Sequence, residues 1–400
     1  MNGSATHRMT DNTTSRFERI AARLGEYREW GALARQQTGK SLITQLREIR
    51  ALKRAGGQCG ISDYYWHKLY DENYQMGRGP KDFVGWRLGQ GLNLALNPRV
   101  AVLPAWDKLS FALIATAAGL PIPPIRAYFH RCGFRSAALG THLDSKQAVA
   151  SFLRDPSVYP LFAKPSFSQQ SYGSAYLAGY DRAADRMVML DGNTLSIDEF
   201  LTRLEQPVEY QYHKPESGFL FQSPLTLAPE IRAMTNWPAI CGVRVICINE
   251  SAGARPIRAA WKIALPPNHM DNFGMGDHGN LLANVDLETG AISKVIGGFW
   301  PKTHVYNRHP VSGRSLDNFF LPGWGQVLDA CKRGGAAFPL MKIHHWDFAL
   351  TDQGPMILEL NDLGGTQIAQ MHGCGLLTEE IREFLKRHAN AQAHPWVRAL

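Results

Sequence analysis

The segment IHHWDFALTDQGPMILELND, residues 343–362, carries the sharpest chemical signal in the chain. Two apolar-rich runs, 343–350 and 356–360, flank TDQGP, a turn composition, so the segment reads as a β-hairpin. Closed symmetrically about Gln353, the hairpin sets Leu350 opposite Met356 and Asp347 opposite Glu359. Strand alternation then places Ile357, Glu359 and Asn361 on one face, and Met356, Leu358 and Leu360 on the other. Directly opposed side chains have Cβ atoms about 4.5–5.5 Å apart, where like charges repel. One carboxyl of the pair is therefore expected to rise in pKa, and a divalent cation would remove the repulsion. Mg²⁺ suits two carboxylates and an amide, because it takes hard oxygen ligands in an octahedron completed by water and phosphate oxygens. Asp347, Glu359 and Asn361 are thus the candidate metal ligands. The same residues also fit an exposed hairpin whose polar face is simply wet, or a carboxylate pair for general acid–base work. Asn361 on the shared face favours the metal.

The elements around the hairpin are legible from periodicity. Residues 16–55 read as helix, with Phe17, Ile20, Leu24, Leu42, Leu46, Ile49 and Leu52 at helical spacing and Gly56-Gly57 as the stop. Residues 61–75 read as a second helix whose stripe of Tyr65, Trp66, Leu69 and Tyr70 faces a core. A third helix spans 107–118, stopped by Gly119, after which Pro121, Pro123 and Pro124 force an extended exit. Strands are expected at 159–164, 219–222, 242–249, 261–265 and 279–285, with a turn at Glu288-Thr289-Gly290 and a last helix at 378–388. No repeat of period 20–50 occurs, and strands and helices mix without regular βαβ alternation, which argues an α+β fold. Thr38-Gly39-Lys40-Ser41 imitates the end of a phosphate-binding loop, but Ala34 stands where its first glycine should fall and no strand is expected before it. It reads as an interrupted surface helix.

Composition bounds the function. Four hundred residues exceed one small core, and 44% hydrophobic with 20% charged residues is ordinary for a folded chain. The longest apolar stretch considered, 111–118, is too short to cross a bilayer, and residues 1–15 lack an apolar signal core, so the cytoplasm is the expected compartment. The six cysteines form no CxxC pair, and Cys241 and Cys247 read as buried thiols. A formal charge of +8 would suit an anionic substrate, an anionic membrane face or nucleic acid. The densest basic cluster, Arg47, Arg50, Lys53 and Arg54, has no interleaved aromatics and reads as a solvated helix face, so nucleic acid is not an expected partner.

Taken in order along the chain, these pieces resemble an ATP-grasp enzyme. The strand aspartate, turn and Glu-x-Asn pattern is the way that superfamily holds Mg²⁺. Asp107-Lys108 opens a helix ending in GLPIP, and Phe162-Ala163-Lys164-Pro165-Ser166 with 169–174 resembles the lysine strand and phosphate-covering loop. Phe219-Leu220-Phe221-Gln222 resembles the hinge strand beside the adenine, and Val243-Arg244-Val245 the strand whose arginine reaches the transferred phosphate. Within the superfamily the match is to the sugar-transfer-associated ATP-grasp family, through Tyr64, Tyr65, Tyr70, Asp271-Asn272, 279–290, His309-Pro310, Gly313, Pro322, Trp324 and Trp346-Asp347. The resemblance covers about residues 60–375. The chain departs from it in a Ser/Gln-rich phosphate loop with Gly173 as its only glycine, and in Asp362-Leu363-Gly364-Gly365 after Asn361, without a proline.

The resemblance implies a two-lobed ATP-grasp fold with a helical N-terminal region over 1–99, a nucleotide-covering lobe over 100–224 and a metal and phosphate lobe over 225–395. ATP and Mg²⁺ are the implied cofactors. Lys108, Lys164, Ser166, Gly173, Gln222 and Asn272 would bind nucleotide, while Arg244 and Lys262 would stabilise the transferred phosphate. The implied reaction is ligation of a small-molecule carboxylate to an amine or other nucleophile through an acyl phosphate, in surface-polysaccharide synthesis. A phosphoryl transferase acting on a sugar hydroxyl, and a non-catalytic ATP-binding module of a glycan-synthesis complex, are the competing readings.

Overall fold

The computed structural model describes residues 16–76, 79–130, 135–168, 173–205 and 218–400. Three helices open it: α1 (Arg16–Thr38), α2 (Leu42–Arg54) and α3 (Ile61–Trp66). The single helix expected over 16–55 is broken at Gly39, whose φ of +74° lies in the left-handed region that favours glycine. Ser41 then caps α2 by accepting from the Thr44 N–H. The TGKS stretch is this link between helices, and its lysine is paired with Glu48 at 2.8 Å. The helix expected over 61–75 ends at Trp66, and Lys68 turns to a φ of +48°. Tyr65, Leu69 and Tyr70 still pack into one aromatic core with Trp30 and Phe83.

Helices α4 (Trp86–Leu96), α5 (Leu103–Trp106) and α6 (Lys108–Ala117) follow. The Asp107 carboxylate caps α6 by accepting from Leu109 and Ser110 N–H, and Gly119 ends it at a φ of +63°. The first sheet comprises β1 (Ile125–Phe129), β2 (Thr141–Leu143), β3 (Leu161–Pro165), β4 (Ala175–Asp181), β5 (Arg186–Met189), β6 (Thr194–Ser196) and β7 (Phe219–Gln222). Their order is β2-β1-β7-β3-β4-β5-β6, antiparallel except for β1 beside β2. Helices α7 (Lys146–Leu153) and α8 (Ile197–Glu205) cover one face, where Leu161, Ala163, Phe219 and Phe221 meet Val149, Leu153 and Phe200. On the other face Tyr128 and Leu220 meet Leu109 and Ala112 of α6.

After α9 (Pro229–Thr235), the second sheet is built from β8 (Gly242–Glu250), β9 (Gly253–Ile263), β10 (Leu281–Val285), β11 (Ile292–Gly297), β12 (His304–Tyr306), β13 (Ile343–Thr351) and β14 (Gly354–Asn361). Helix α10 (Trp324–Ala337) precedes β13, and α11 (Glu379–His388) follows β14. The strand order β12-β11-β10-β9-β8-β13-β14 is antiparallel throughout. One face packs Val243, Val245, Trp261, Trp346 and Phe348 on α10, and also on Phe111 and Ala115 of α6. Helix α6 thus gives one side to each sheet, so the span 100–224 does not map onto a single core. The opposite face is covered at one end by α4 and α11, which bring Leu88, Leu92, Phe384 and Leu385 onto Ile246, Ile248 and Ile343. At the other end Phe273, Trp300 and Met371 cover Ala260, Leu282 and Ile296. The region 1–99 is therefore tied into the second sheet: the Gln370 side chain exchanges hydrogen bonds with the Val84 backbone, and Asn97 does so with Lys342 and Ile343. Cys241 and Cys247 are buried free thiols.

The Asp107 cap generates a direct test. Asp107→Ala removes the acceptor for two helix N–H groups and is expected to lower unfolding free energy by about 1 kcal/mol in urea titration, with Asp107→Asn retaining most of it.

Candidate functional site

Between the two apolar patches on the inner face of the second sheet lies a polar gap. Cross-strand register fills it: Asp347 on β13 lies opposite both Arg244 on β8 and Glu359 on β14. Arg244 lies opposite Ala260 on β9, which puts Lys262, two residues along, on the same face.

The hairpin reaches the expected Asp347–Glu359 pairing by a different route. Thr351 pairs with Gly354, so the turn has two central residues, Asp352-Gln353, and does not close symmetrically about Gln353. Ala349 lies opposite Met356 and Phe348 opposite Ile357, one residue out of the expected register. A bulge between Phe348 and Asp347 then leaves Leu358 unpaired and restores it. The extra residue switches the faces. Ile357 joins Phe348 and Leu360 in the core, contrary to the expectation that it shares the face of Glu359 and Asn361. The bulge also frees the Leu358 carbonyl, which accepts from Lys164 Nζ at 3.5 Å across the two sheets.

The electrostatics differ from the expected repulsion. Asp347 is buried, and burial works to raise its pKa, but Arg244 and Lys262 outweigh that and hold its carboxyl well below the usual range. Arg244 forks onto both carboxylate oxygens, with its second terminal nitrogen at 2.7 Å from Oδ2, and donates its remaining nitrogen to the Gly364 carbonyl. Lys262 Nζ lies 3.3 Å from Asp271 and 3.7 Å from Asp347. Burial opposes its charge, yet these two carboxylates raise its pKa. Asn361 Nδ2 donates to Glu359 at 3.1 Å.

Facing these groups are two lysines from the other side of the cleft. Lys164 is 8% exposed. Burial, and then the nearby charge of Lys108, lower its pKa to about 8, with Glu359 opposing the shift. Lys108 is lowered first by burial, and its ammonium donates to the carbonyl and hydroxyl of Ser168. Neither lysine has a carboxylate ion-pair partner among the described residues.

The other expected nucleotide residues are placed as follows. The ladder sets Phe162 opposite Gln222 and Lys164 opposite Leu220, so all four share the face turned to α6. Gln222 is buried and donates to the Pro123 carbonyl at 3.3 Å. The Ser166 hydroxyl accepts from the Gly218 N–H at 3.0 Å, which commits it to strand closure, and Ser168, not singled out from sequence, is the serine that meets a lysine. Gly173 has a φ of +74°, and a Cβ there would meet Pro165 at 2.9 Å. The expected phosphate loop otherwise lies at 169–172, outside the described residues. Asn272 contributes its carbonyl to Asn280 Nδ2. Its neighbour Asp271 is the residue that enters the charged cluster, accepting from the Gly242 N–H at 2.6 Å as well as from Lys262. Asn280, fully buried, makes four hydrogen bonds that fasten this loop, to Leu265, Asn268, Met270 and Asn272. A buried loop asparagine has no periodic signal in a sequence.

Among the described residues no group of three or more His, Cys, Asp or Glu side chains is arranged to hold a metal. The candidate set has two carboxylates and an amide, all hard oxygen donors. Arg244 takes one lone pair from each Asp347 oxygen and leaves the others, so the donor set fits Mg²⁺ shared with phosphate oxygens.

A family model described as sugar-transfer associated ATP-grasp matches residues 88–384. Among solved structures the chain is similar to a D-alanyl-alanine synthetase A from Vibrio cholerae, with 11% identity over 71% of this chain and 61% of that one and a TM-score of 0.36. It is also similar to an L-amino acid ligase from Bacillus licheniformis, at 11% identity, 73% and 53% coverage and a TM-score of 0.37. A D-Ala:D-Ser ligase from Enterococcus faecalis shows 12% identity, 70% and 64% coverage and a TM-score of 0.37. The chain spans less than two thirds of the length of each of these structures. No curated protein matches it.

Removing the shared anion of the cluster should be costly to the fold itself. Asp347→Ala leaves Arg244 and Lys262 buried together, and is expected to lower unfolding free energy by about 3–5 kcal/mol in denaturant titration. A loss below about 1 kcal/mol would show that the pair does not hold the sheet.

Proposed function

The chain belongs to the sugar-transfer associated ATP-grasp family, and from that premise we propose that it is an ATP- and Mg²⁺-dependent ligase. It joins a small-molecule carboxylate to an amine or other nucleophile in surface-polysaccharide synthesis. The observation that carries this reading is the pair of enclosed ammonium groups, Lys108 and Lys164: burial lowers the pKa of both, the charge of Lys108 lowers that of Lys164 further, and neither has a carboxylate ion-pair partner among the described residues. Two such charges persist at a site that receives an anion. The polyphosphate of ATP is that anion, and lysine serves it as a point charge.

In this reading Lys108 and Lys164 neutralise the α- and β-phosphates. Phe162 and Gln222 flank the base, and Ser166 and Gly173 shape the ends of the covering loop. The Asp347 fork and the Gly364 carbonyl use three of the five N–H groups of Arg244. The remaining two, with Lys262, stabilise charge on the phosphoryl group in flight. Asp347, Glu359 and Asn361 would hold Mg²⁺, which supplies charge neutralisation at the phosphates when bound. Asn272 lies in the loop beside the acceptor side of the cluster. A carboxylate oxygen of the substrate attacks the γ-phosphorus and ADP leaves. The amine then attacks the acyl carbon and phosphate leaves. The cytoplasm supplies the nucleotide.

The decisive experiment incubates the protein with Mg²⁺-ATP, hydroxylamine and a panel of acidic sugars and amino acids. A hydroxamate with stoichiometric ADP is expected, and Glu359→Gln should abolish it. A phosphorylated hydroxyl without hydroxamate makes the protein a phosphoryl transferase, AMP release makes it an adenylating enzyme, and binding without turnover makes it a non-catalytic module.

The lowered pKa of Lys164 also makes nucleotide affinity pH-dependent. Nucleotide favours the charged lysine, so its pKa is higher in the complex than in the free protein. The full affinity is present below about pH 8 and is lost as pH rises through that value. The dissociation constant for Mg²⁺-ADP, measured by calorimetry, is expected to rise up to about tenfold per pH unit above pH 8. Lys164→Arg, whose charge does not titrate in that range, should flatten the slope.

A further inference from the structure

Helix α2 has an outer face that the nucleotide site does not use. Its inner side, Gln45, Ile49 and Leu52, is buried. Its outer side leaves 50% of Leu42, 65% of Ile43 and 60% of Leu46 exposed. Arg47, Arg50, Lys53 and Arg54 are exposed beside them. At the α-helical repeat, Ile43, Arg47, Arg50 and Arg54 fall within about 60° of one another, and Leu42, Leu46 and Lys53 form the adjoining stripe within about 40°. Aliphatic groups crowd the first turns and cations the last.

A solvated helix face accounts for the cations but not for three aliphatic side chains among them. The C-terminal helix α11 sets its arginine and lysine side chains among an equal number of acids, Glu379, Glu380 and Glu383. On α11 every such side chain is paired: Arg382 with Asp82 at 3.7 Å, Lys386 with Glu383 at 2.8 Å and Arg387 with Glu250 at 3.0 Å. On α2 the sole acid, Glu48, sits on the flank and is taken by Lys40 and Tyr64. Among the described residues no ion pair engages Arg47, Arg50, Lys53 or Arg54. Four unpaired positive charges with no anion between them, next to exposed leucine and isoleucine, complement a surface that is at once anionic and apolar.

We propose that the outer face of α2 docks the protein onto an anionic lipid bilayer, with Ile43 and Leu46 entering the headgroup boundary and the four cations meeting anionic lipid. The helix is 13 residues long, about 20 Å, and lies on the surface rather than crossing it. Among the described residues no helix is long and apolar enough to cross a membrane. Nucleic acid suits the face less well, since no exposed aromatic stands among the cations to stack on bases. This docking is independent of the reaction proposed above.

The test is co-sedimentation of the full chain with vesicles of phosphatidylcholine alone and of phosphatidylcholine with 30% phosphatidylglycerol, in 0.1 M salt. Binding to the anionic vesicles only is expected. Each cation near an anionic surface contributes about fivefold in partitioning, so the variant with Arg47, Arg50, Lys53 and Arg54 all changed to alanine should lose at least about a hundredfold. Ile43→Ser with Leu46→Ser should lose about tenfold or more. Thermal melts of both variants should match the parent, since every changed side chain is exposed. Absence of parental binding, undiminished binding of the alanine variant, or binding indifferent to the serine changes would each overturn the proposal. A parent that ignores vesicles but binds polyglutamate would assign the face to an acidic protein instead.

Discussion

The bidentate contact between Arg244 and Asp347 is the interaction on which the second sheet is organised. Both side chains leave water on adjacent inner strands of a seven-stranded sheet, where an unpaired charge is far more costly than a lost apolar contact. The cost is tolerable only because every partner arrives in register. Strand β8 brings the guanidinium, β13 the carboxylate, β9 the Lys262 ammonium, and the loop after β9 the balancing Asp271. A slip of one residue in any of these strands would turn a charge into the core packed on α10. The charged cluster therefore selects the register as much as the register creates the cluster.

The two layers meet through α6, through Trp106, whose ring lies against Phe167 and whose indole donates to Asp362, and through the Leu358 carbonyl. Leu109 and Ala112 of α6 belong to the first sheet and Phe111 and Ala115 to the second, so a single helix sets the spacing of the cleft. Its N-terminal residue Lys108 is held there by the Asp107 cap and by Ser168. The helical N-terminal region completes the second sheet from the inner side, where α4 covers Ile246 and Ile343 beside the charged centre. What looks like an appended region in the sequence is a wall of the site.

Several of these facts could be read before folding and others could not. The opposition of Asp347 and Glu359 was legible because both carboxylates lie in runs bounded by an unmistakable turn. The bulge that produces it was not, since Met356, Ile357 and Leu358 are all apolar and give no sign of which residue leaves the ladder. The repulsion expected between the acids failed for a related reason. Their neutralising partners stand on strands some hundred residues away in sequence, and a hairpin considered alone has no knowledge of Arg244 or Lys262. Asp271 and Asn272 are not distinguishable in the sequence, because the loop carrying both has no periodicity to show which side chain turns inward. The order of lysine strand, arginine strand and acidic hairpin, by contrast, survives in the sequence because each sits in its own strongly patterned element.

The bulge at Leu358 has one more consequence. It acts as an expansion joint between the hairpin tip and the charged centre. The tip is paired in one register and the centre in another, so the tip does not dictate the spacing of Asp347, Glu359 and Asn361. A change of length at Asp352-Gln353 falls in the turn and leaves Asp347 in its ladder with β8 and opposite Glu359. Loss of Leu358 itself would leave a regular ladder with the same opposed acids, and would withdraw only the carbonyl that reaches Lys164.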